Sequence, residues 1–411
     1  MNTPSTELRN ADWWTAIKAS INVHESTMID FRRDLHAHPE PSGEEHRTTA
    51  QIADRIRAIG LAPRIMNDGC GIVVDLEFDP AADSCVAIRS DLDCVAVDDA
   101  KDVPWRSTRP GCCHACGHDA HATMSLFTLL TLHEHLDSIR AMHPAANLRF
   151  IFQPAEETTK GAQRMIEQHA LDGVDSIVAL HVDPYLEAGH IGLRTGPLTA
   201  NCLSFKITVT GQGGHSARPY QSLDPIPAAT NIVSMMYQLC PRSMDSRYPL
   251  ALTVTSIHAG QAFNAIPDSA EIWGTLRTSR DEDEQNVRAR LHDVLRGIAT
   301  TTGCTINIEF PYASPATNND REVIERLWAA GEAALGKDRV ALVEMPSLGG
   351  EDFAYYQQVV PGAMVRLGTA FQDPNARVPL HAPDFDINES SLVAGVRFLC
   401  RAAIRSVVPE R

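Results

Sequence analysis

The sequence predicts an α/β fold in which a mostly parallel sheet, covered by helices on both faces, is interrupted by an inserted domain with a different rhythm of strands and helices. Three features predict it. Short, nearly continuous apolar runs alternate with helical patterns through the N-terminal half, the texture changes near Asn201, and helix and strand alternation resumes after Pro311. The length of 411 residues exceeds what one core usually organises. It suits a discontinuous body at 1–200 and 312–411, with an insert at 201–311.

The elements follow in order. Trp14 to Leu35 reads as a helix, as does Glu44 to Ile59, where Ile52, Ile56 and Ile59 recur at helical spacing and Gly60 is a C-terminal stop. Strand-like runs occur at Gly71 to Leu76, Cys85 to Arg89, Leu148 to Phe152 and Ser176 to Leu180, with helical patterns at Ala122 to Leu136 and Gly161 to His169. Apolar strands without alternation indicate a sheet buried on both faces. In the insert, a strand at Ser204 to Thr210 is followed by a helix at Pro225 to Leu239 and strands at Leu250 to Ile257 and Ala270 to Thr278. A helix at Glu282 to Ala299 and a strand at Thr305 to Phe310 complete it. This β-α-β-β-α-β order resembles a ferredoxin-like unit. Arg321 to Leu335 and Ser390 to Val407 read as helices around an extended Ala363 to Leu367.

Composition narrows the function classes. A hydrophobic share of 44% and a charged share of 21% are those of a globular protein, not a disordered one. The formal charge of −16 repels phosphate backbones and anionic lipid surfaces, which argues against nucleic acid and membrane partners and for a small molecule. The first residues, Met1 to Asn10, are polar, and no run of about 18 apolar residues occurs, so a cytoplasmic protein is expected. Cysteines scattered through a long chain point to reduced thiols or metal ligands rather than a disulfide framework.

Polar residues gather at predicted strand ends. Asp91 and Asp93 follow one strand, Glu156 and Glu157 another, and His181 a third. In an open α/β sheet the ligand crevice lies outside the carboxyl ends of the strands, so these groups can converge. Cys116 and His118 precede the helix at Ala122, in a turn where residues two apart can face one ion. A thiolate and an imidazole suit zinc and other late transition metals. In an extended segment the adjacent Glu156 and Glu157 point to opposite sides, so one carboxylate can hold an ion while the other takes a proton from a water and passes it to a leaving amine. Two adjacent acids equally suit the first turn of a helix, and His181, or His381 in the loop Pro379 to Pro383, is equally a locally bonded histidine. Together, Cys116, His118, Glu157, His181 and His381 supply enough ligands for two ions.

These residues carry a resemblance. Arg33 to His36 with Pro39-Glu40, Arg89 to Asp93, His114 to Asp119, Phe152 to Glu157, Gly211 to His215, Asn264 to Asp268, Gly274 to Arg277, Glu351 to Phe353 and His381 to Pro383 run nearly end to end. With them the chain resembles the N-acyl-amino-acid amidohydrolases, within the co-catalytic dinuclear metallopeptidases. The resemblance implies two divalent ions (zinc, manganese, cobalt or nickel) on Cys116, His118, Glu157, His181 and His381, with Glu156 as general base and Asp93 grouped with the catalytic residues. It implies that the insert is a lid forming a homodimer contact, and that His215 stabilises an oxyanion in its own site or the partner's. A flexible hairpin is the plainer account of Gly213 to Ser216. Asn264 and Arg277 suit a substrate carboxylate, although an Arg in a strand is also an ordinary solvated edge residue.

The expected reaction is hydrolysis of acetyl, benzoyl or aryl-acyl amino acids. Alternatives are a dipeptidase, carboxypeptidase or aromatic aminohydrolase at the same ions, or a silent peptide- or metal-binding regulator. Where the family commonly has Asp-Ala-Leu-Pro, an apolar residue and Glu, this chain has Asp93-Cys-Val-Ala-Val-Asp98, and Cys112-Cys113 precedes His114.

Overall fold

The computed structural model describes residues 6–408. Its longer helices are α1 (Thr6–Val23), α2 (Glu25–Ala37), α3 (His46–Ala58), α4 (His118–Glu134), α5 (Gly161–Glu167), α6 (Pro225–Leu239), α7 (Asp281–Thr302), α8 (Arg321–Leu335) and α9 (Ser391–Val407). The strands of its two larger sheets are β1 (Arg64–Ile65), β2 (Ile72–Leu76), β3 (Ser84–Asp91), β4 (Ala146–Gln153), β5 (Ser176–Glu187), β6 (Ile191–Leu193), β7 (Asn201–Thr210), β8 (Leu250–Ala259), β9 (Ser269–Thr278), β10 (Thr305–Ser314), β11 (Val340–Leu342) and β12 (Gly362–Ala370). The helix expected over Trp14 to Leu35 is broken at His24. Glu25 there opens a new helix with its charge at the favourable end of the dipole.

The chain divides into two compact units. The first comprises 1–196, 318–344 and 355–411, and the second 197–317 with 345–354. The short segment 345–354, expected in the body, joins the insert because its backbone bonds there: Ser347 N donates to Leu198 O at 2.9 Å and Ala200 N to Gly349 O at 3.1 Å.

In the first unit an eight-stranded sheet runs β1-β2-β4-β3-β5-β12-β6-β11. It is mixed rather than mostly parallel. The pairs β3/β4, β3/β5, β5/β12 and β6/β11 are parallel, whereas β1/β2, β2/β4 and β6/β12 are antiparallel. Short connections explain the reversals: β5 and β6 are joined through Gly189, at φ 77°, and so tight a turn can only send the chain back. The strands missed from the sequence, β1, β6 and β11, are two or three residues long and carry too little pattern to detect.

The central strands are buried on both faces, as their unalternated apolar runs require. Ile88, Phe150, Val178 and Val365 belong to one large core with Phe127 and Leu129 of α4 and Val396 and Phe398 of α9. Their neighbours Ala87, Ile151, Ile177 and Met364 are buried on the opposite face. α4 is apolar nearly all round because it lies between the sheet, α2 and α9.

In the second unit, β7-α6-β8-β9-α7-β10 build an antiparallel sheet of order β8-β9-β7-β10. Phe205, Ile207 and Val209 of β7 face a core shared with Ile232 of α6 and Leu291 of α7. Among the described residues no helix is long and apolar enough to cross a membrane.

Candidate metal centre

Parallel register brings the polar strand ends of the first unit to one level. Asp91 stands opposite Gln153 across β3 and β4, and Arg89 opposite Ala179 across β3 and β5, which places His181 beside Asp91. The sheet therefore brings the carboxyl ends of β3 and β4 level with His181, which lies inside β5 rather than after it, because β5 continues along β12 to Glu187.

Cys116 and His118 are presented by the start of α4. His118 is its first residue and Gly117 caps it at φ 82°, a left-handed conformation that costs a non-glycine residue about 1–2 kcal/mol. A side chain at 117 would also meet Val182 Cγ2 at 2.5 Å. Glycine thus lets the chain fold tightly enough for a thiol and an imidazole on either side of it to face the same space.

Glu156 and Glu157 depart from expectation. They lie in a turn, not an extended segment, so they do not point to opposite sides. Ala155 enters the turn at φ 57°, and Thr159 N closes it on Glu156 O at 2.7 Å. Both carboxylates consequently approach His118 Nε2, Glu156 Oε2 at 3.9 Å and Glu157 Oε1 at 3.9 Å. His381, also at a positive φ of 67°, is tied by its backbone to Ala115 O at 2.8 Å and puts Nε2 3.4 Å from Glu157 Oε1. Non-glycine residues at such angles are uncommon, and two of them flank this one cluster.

The donor atoms form two overlapping groups. Those of Cys116, His118 and His181 lie within 4.8 Å of one another, as do those of Cys116, Glu157 and His381. Cys116 is common to both, and a third group joins His118 with Glu156 and Glu157. The imidazoles are oriented for ligation: His118 Nδ1 donates to Asp93 O at 2.9 Å, and His181 Nδ1 to Val182 O at 2.8 Å. Each ring therefore turns Nε2 inward, toward Cys116 Sγ at 3.5 Å in the case of His181. His118 Nε2 is buried and makes no hydrogen bond, an orphaned lone pair aimed into a sulfur, nitrogen and oxygen cluster. Such a set fits divalent late transition metals.

The electrostatics agree. Burial and the charge of Glu157 push the Cys116 thiol up. The His118 imidazole is raised against the pull of burial, chiefly by Asp91, and His381 rises to about 10 through its bonds to Cys116 and Glu157. The same negative field attracts a cation.

Asp93 has its carboxylate fully engaged. Oδ2 accepts from Ser42 Oγ at 2.6 Å and from Glu157 N at 2.9 Å, and Oδ1 lies 3.2 Å from His118 Nδ1. It holds two members of the cluster and faces no open space. His121 was not singled out by the sequence, yet it is fixed at both nitrogens, to Asp91 Oδ1 at 2.6 Å and Val182 N at 2.9 Å. Its place three residues after His118, one helical turn on, was the available signal. Deeper still, Arg32 pairs with Asp119 at 2.7 Å and Asp386 at 2.8 Å, clamping α2 against α4 and the C-terminal loop.

The remaining expected residues lie on the second unit. His215 is exposed, opposite Ala265 in a short two-stranded ladder, and Ser216 N donates to Asn264 O at 3.1 Å, so His215 and Asn264 share one hairpin. Arg277 of β9 commits Nη1 to Leu348 O at 2.7 Å. All ten cysteines are free thiols.

Comparison with known proteins agrees with this arrangement. Residues 87–405 match peptidase family M20/M25/M40. N-acetylcysteine deacetylase of Bacillus subtilis (strain 168) is 35% identical over 385 residues, 92% of this chain and 96% of that protein. A Rhodococcus jostii (strain RHA1) protein named for glutamate–cysteine ligase 2-3 is 38% identical over 94% of this chain, which spans 47% of it. The crystal structure of the Bacillus subtilis YXEP protein, described as a dinuclear metal binding peptidase from the M20 family, superposes with a TM-score of 0.80 at 31% identity, covering 94% of this chain and 99% of that one. By this match and these identities the chain belongs to peptidase family M20/M25/M40.

Proposed function

We propose that this protein hydrolyses the amide bond of N-acyl amino acids, with Cys116, His118, Glu157, His181 and His381 holding two divalent ions and Glu156 moving the proton. The observation that carries this reading is the pair of donor groups sharing Cys116, with the Glu156 carboxylate beside them on His118. When bound, the ions supply Lewis acidity to the scissile carbonyl and to the attacking water. Glu156 is 6% exposed and sits where it can take a proton from that water and hand it to the departing amine nitrogen. Asp93 acts as a positioning residue, fixing the tautomer of His118 and the backbone of Glu157.

The second unit is read as a ferredoxin-like lid, supported by its order of elements and by strands that are antiparallel throughout. Its hairpin offers His215 as a donor to the oxyanion and Asn264 as a contact for the substrate carboxylate. Arg277 has one nitrogen committed and keeps its remaining donors for that carboxylate. A homodimer through the lid and a cytoplasmic setting, suited to free thiols, complete the proposal.

The test is a panel of N-acetyl and N-benzoyl amino acids beside dipeptides, read by amine release from protein loaded with zinc, manganese, cobalt or nickel. Faster turnover of the acyl amino acids supports the proposal. Faster turnover of dipeptides favours the peptidase reading, and no turnover of any amide leaves the chain a binding protein.

A further inference from the structure

The turn that carries Glu156 and Glu157 is held from outside the cluster. Ala155 occupies a left-handed conformation, at φ 57°, that strains an alanine, and such a conformation persists only where its surroundings over-determine it. Its N–H donates to Glu45 Oε1 at 2.8 Å. The same oxygen accepts from Gly43 N at 2.8 Å, so Glu45 ties the loop before α3 to the turn after β4. That loop also reaches the neighbouring strand end: Ser42 Oγ donates to Asp93, and Cys94 N donates to Glu40 O at 3.0 Å.

Glu45 is fully buried, and it is no inert filler. A carboxylate is a costly side chain to bury, and burial followed by the charge of Asp93 raises it to about 7. Its charge also helps to push up the Cys70 thiol.

We infer that Glu45 is a positioning residue: by accepting from the strained Ala155 N–H, it sets the turn that aims Glu156 and Glu157 at the metal cluster. The inference rests on the proposed roles of Glu156 and Glu157. It concerns how they are held.

The test substitutes Glu45→Met, close in length but without an acceptor, and Glu45→Gln, which keeps a carbonyl oxygen. Two quantities are read on the full chain: zinc affinity by competition with a chromophoric chelator, and kcat and KM on the best acyl amino acid. Glu45→Met should lose about ten- to a hundredfold in zinc affinity and in kcat while KM stays within about threefold. Glu45→Gln should stay within about threefold of the parent in all three. In an Ala155→Gly background, where glycine takes the positive φ without strain, the loss caused by Glu45→Met should shrink to under about fivefold.

Glu45→Met with unchanged zinc affinity and kcat overturns the inference, as does a Gln variant as impaired as Met or an equal loss in both backgrounds. If Glu45→Met does not fold, the double variant is compared with Ala155→Gly alone. Restored folding supports the inference, and continued unfolding overturns it. Failure of the functional reading shows elsewhere, as Glu156→Gln protein that keeps its turnover. Failure of this inference shows as intact zinc affinity in Glu45→Met while Glu156→Gln loses turnover.

Discussion

Asp93 offers the sharpest test of how the cluster is held. Its buried carboxylate receives three donors, Ser42 Oγ at 2.6 Å, Glu157 N at 2.9 Å and His118 Nδ1 at 3.2 Å, so both oxygens act only as acceptors. Asp93→Asn keeps the shape but replaces one acceptor oxygen with an NH2. Whichever way the amide turns, it confronts a donor. If the nitrogen faces His118, the imidazole loses one of the two acceptors that hold Nδ1–H and so keep Nε2 turned inward. If it faces Ser42 and Glu157, the backbone of Glu157 loses its anchor. A buried hydrogen bond to a charged group contributes about 1.5–3 kcal/mol, and removing a residue that orients a ligand typically costs about 10–100-fold in metal affinity. Because Asp93 contacts two of the proposed ligands, the upper part of that range is expected, about fiftyfold or more. Chelator competition with zinc and with manganese on the apo protein measures this directly, and thermal unfolding of the apo form reports the stability change separately. A variant that binds both ions within threefold of the parent would refute the assignment of Asp93 as the residue that positions His118 and Glu157.

Glu156→Gln should keep its full metal content yet lose at least about a hundredfold in kcat; loaded protein with near-normal turnover excludes Glu156 as the proton carrier. Gly117→Ala should destabilise the protein by about 2 kcal/mol or more, since it combines the left-handed φ with a contact 2.5 Å from Val182 Cγ2; an unchanged denaturant midpoint would contradict this. Glu45 gives a pH dependence. Its carboxyl is raised from 4.5 to about 7 on folding, so the stability it contributes is complete below about pH 4.5 and lost as the pH rises through 7. That gap corresponds to on the order of 3 kcal/mol. Relative to the parent, apo Glu45→Gln should therefore gain about that much stability between pH 4.5 and pH 8.5, and parallel stability curves would show that Glu45 does not titrate as described.

Much of the site was legible because its residues follow strands whose apolar runs are unmistakable. Asp91 closes β3 and His181 lies level with it inside β5, so locating the strands located both residues. The turn at Glu156 was misread as extended. A left-handed alanine carries no sequence signal; it exists because Glu45, more than a hundred residues earlier, accepts its N–H. The outer strands of the sheet were missed for a related reason. β1, β6 and β11 are too short to show periodicity, and only pairing with a neighbouring strand makes them strands. The break at His24 lies within a pattern that is helical on both sides, so the sequence carries no signal for it.

The sequence by itself determined the α/β layering, the order of elements in the insert, and the cysteine, histidines and acids available to a metal, because periodicity and residue chemistry are local properties of the chain. Only the tertiary structure decided that Cys116 stands in two donor groups at once, that both glutamates turn toward His118, and that Asp93 supports the cluster. These depend on strand register and on hydrogen bonds between loops far apart in the chain, and both are settled when the sheet and its core assemble.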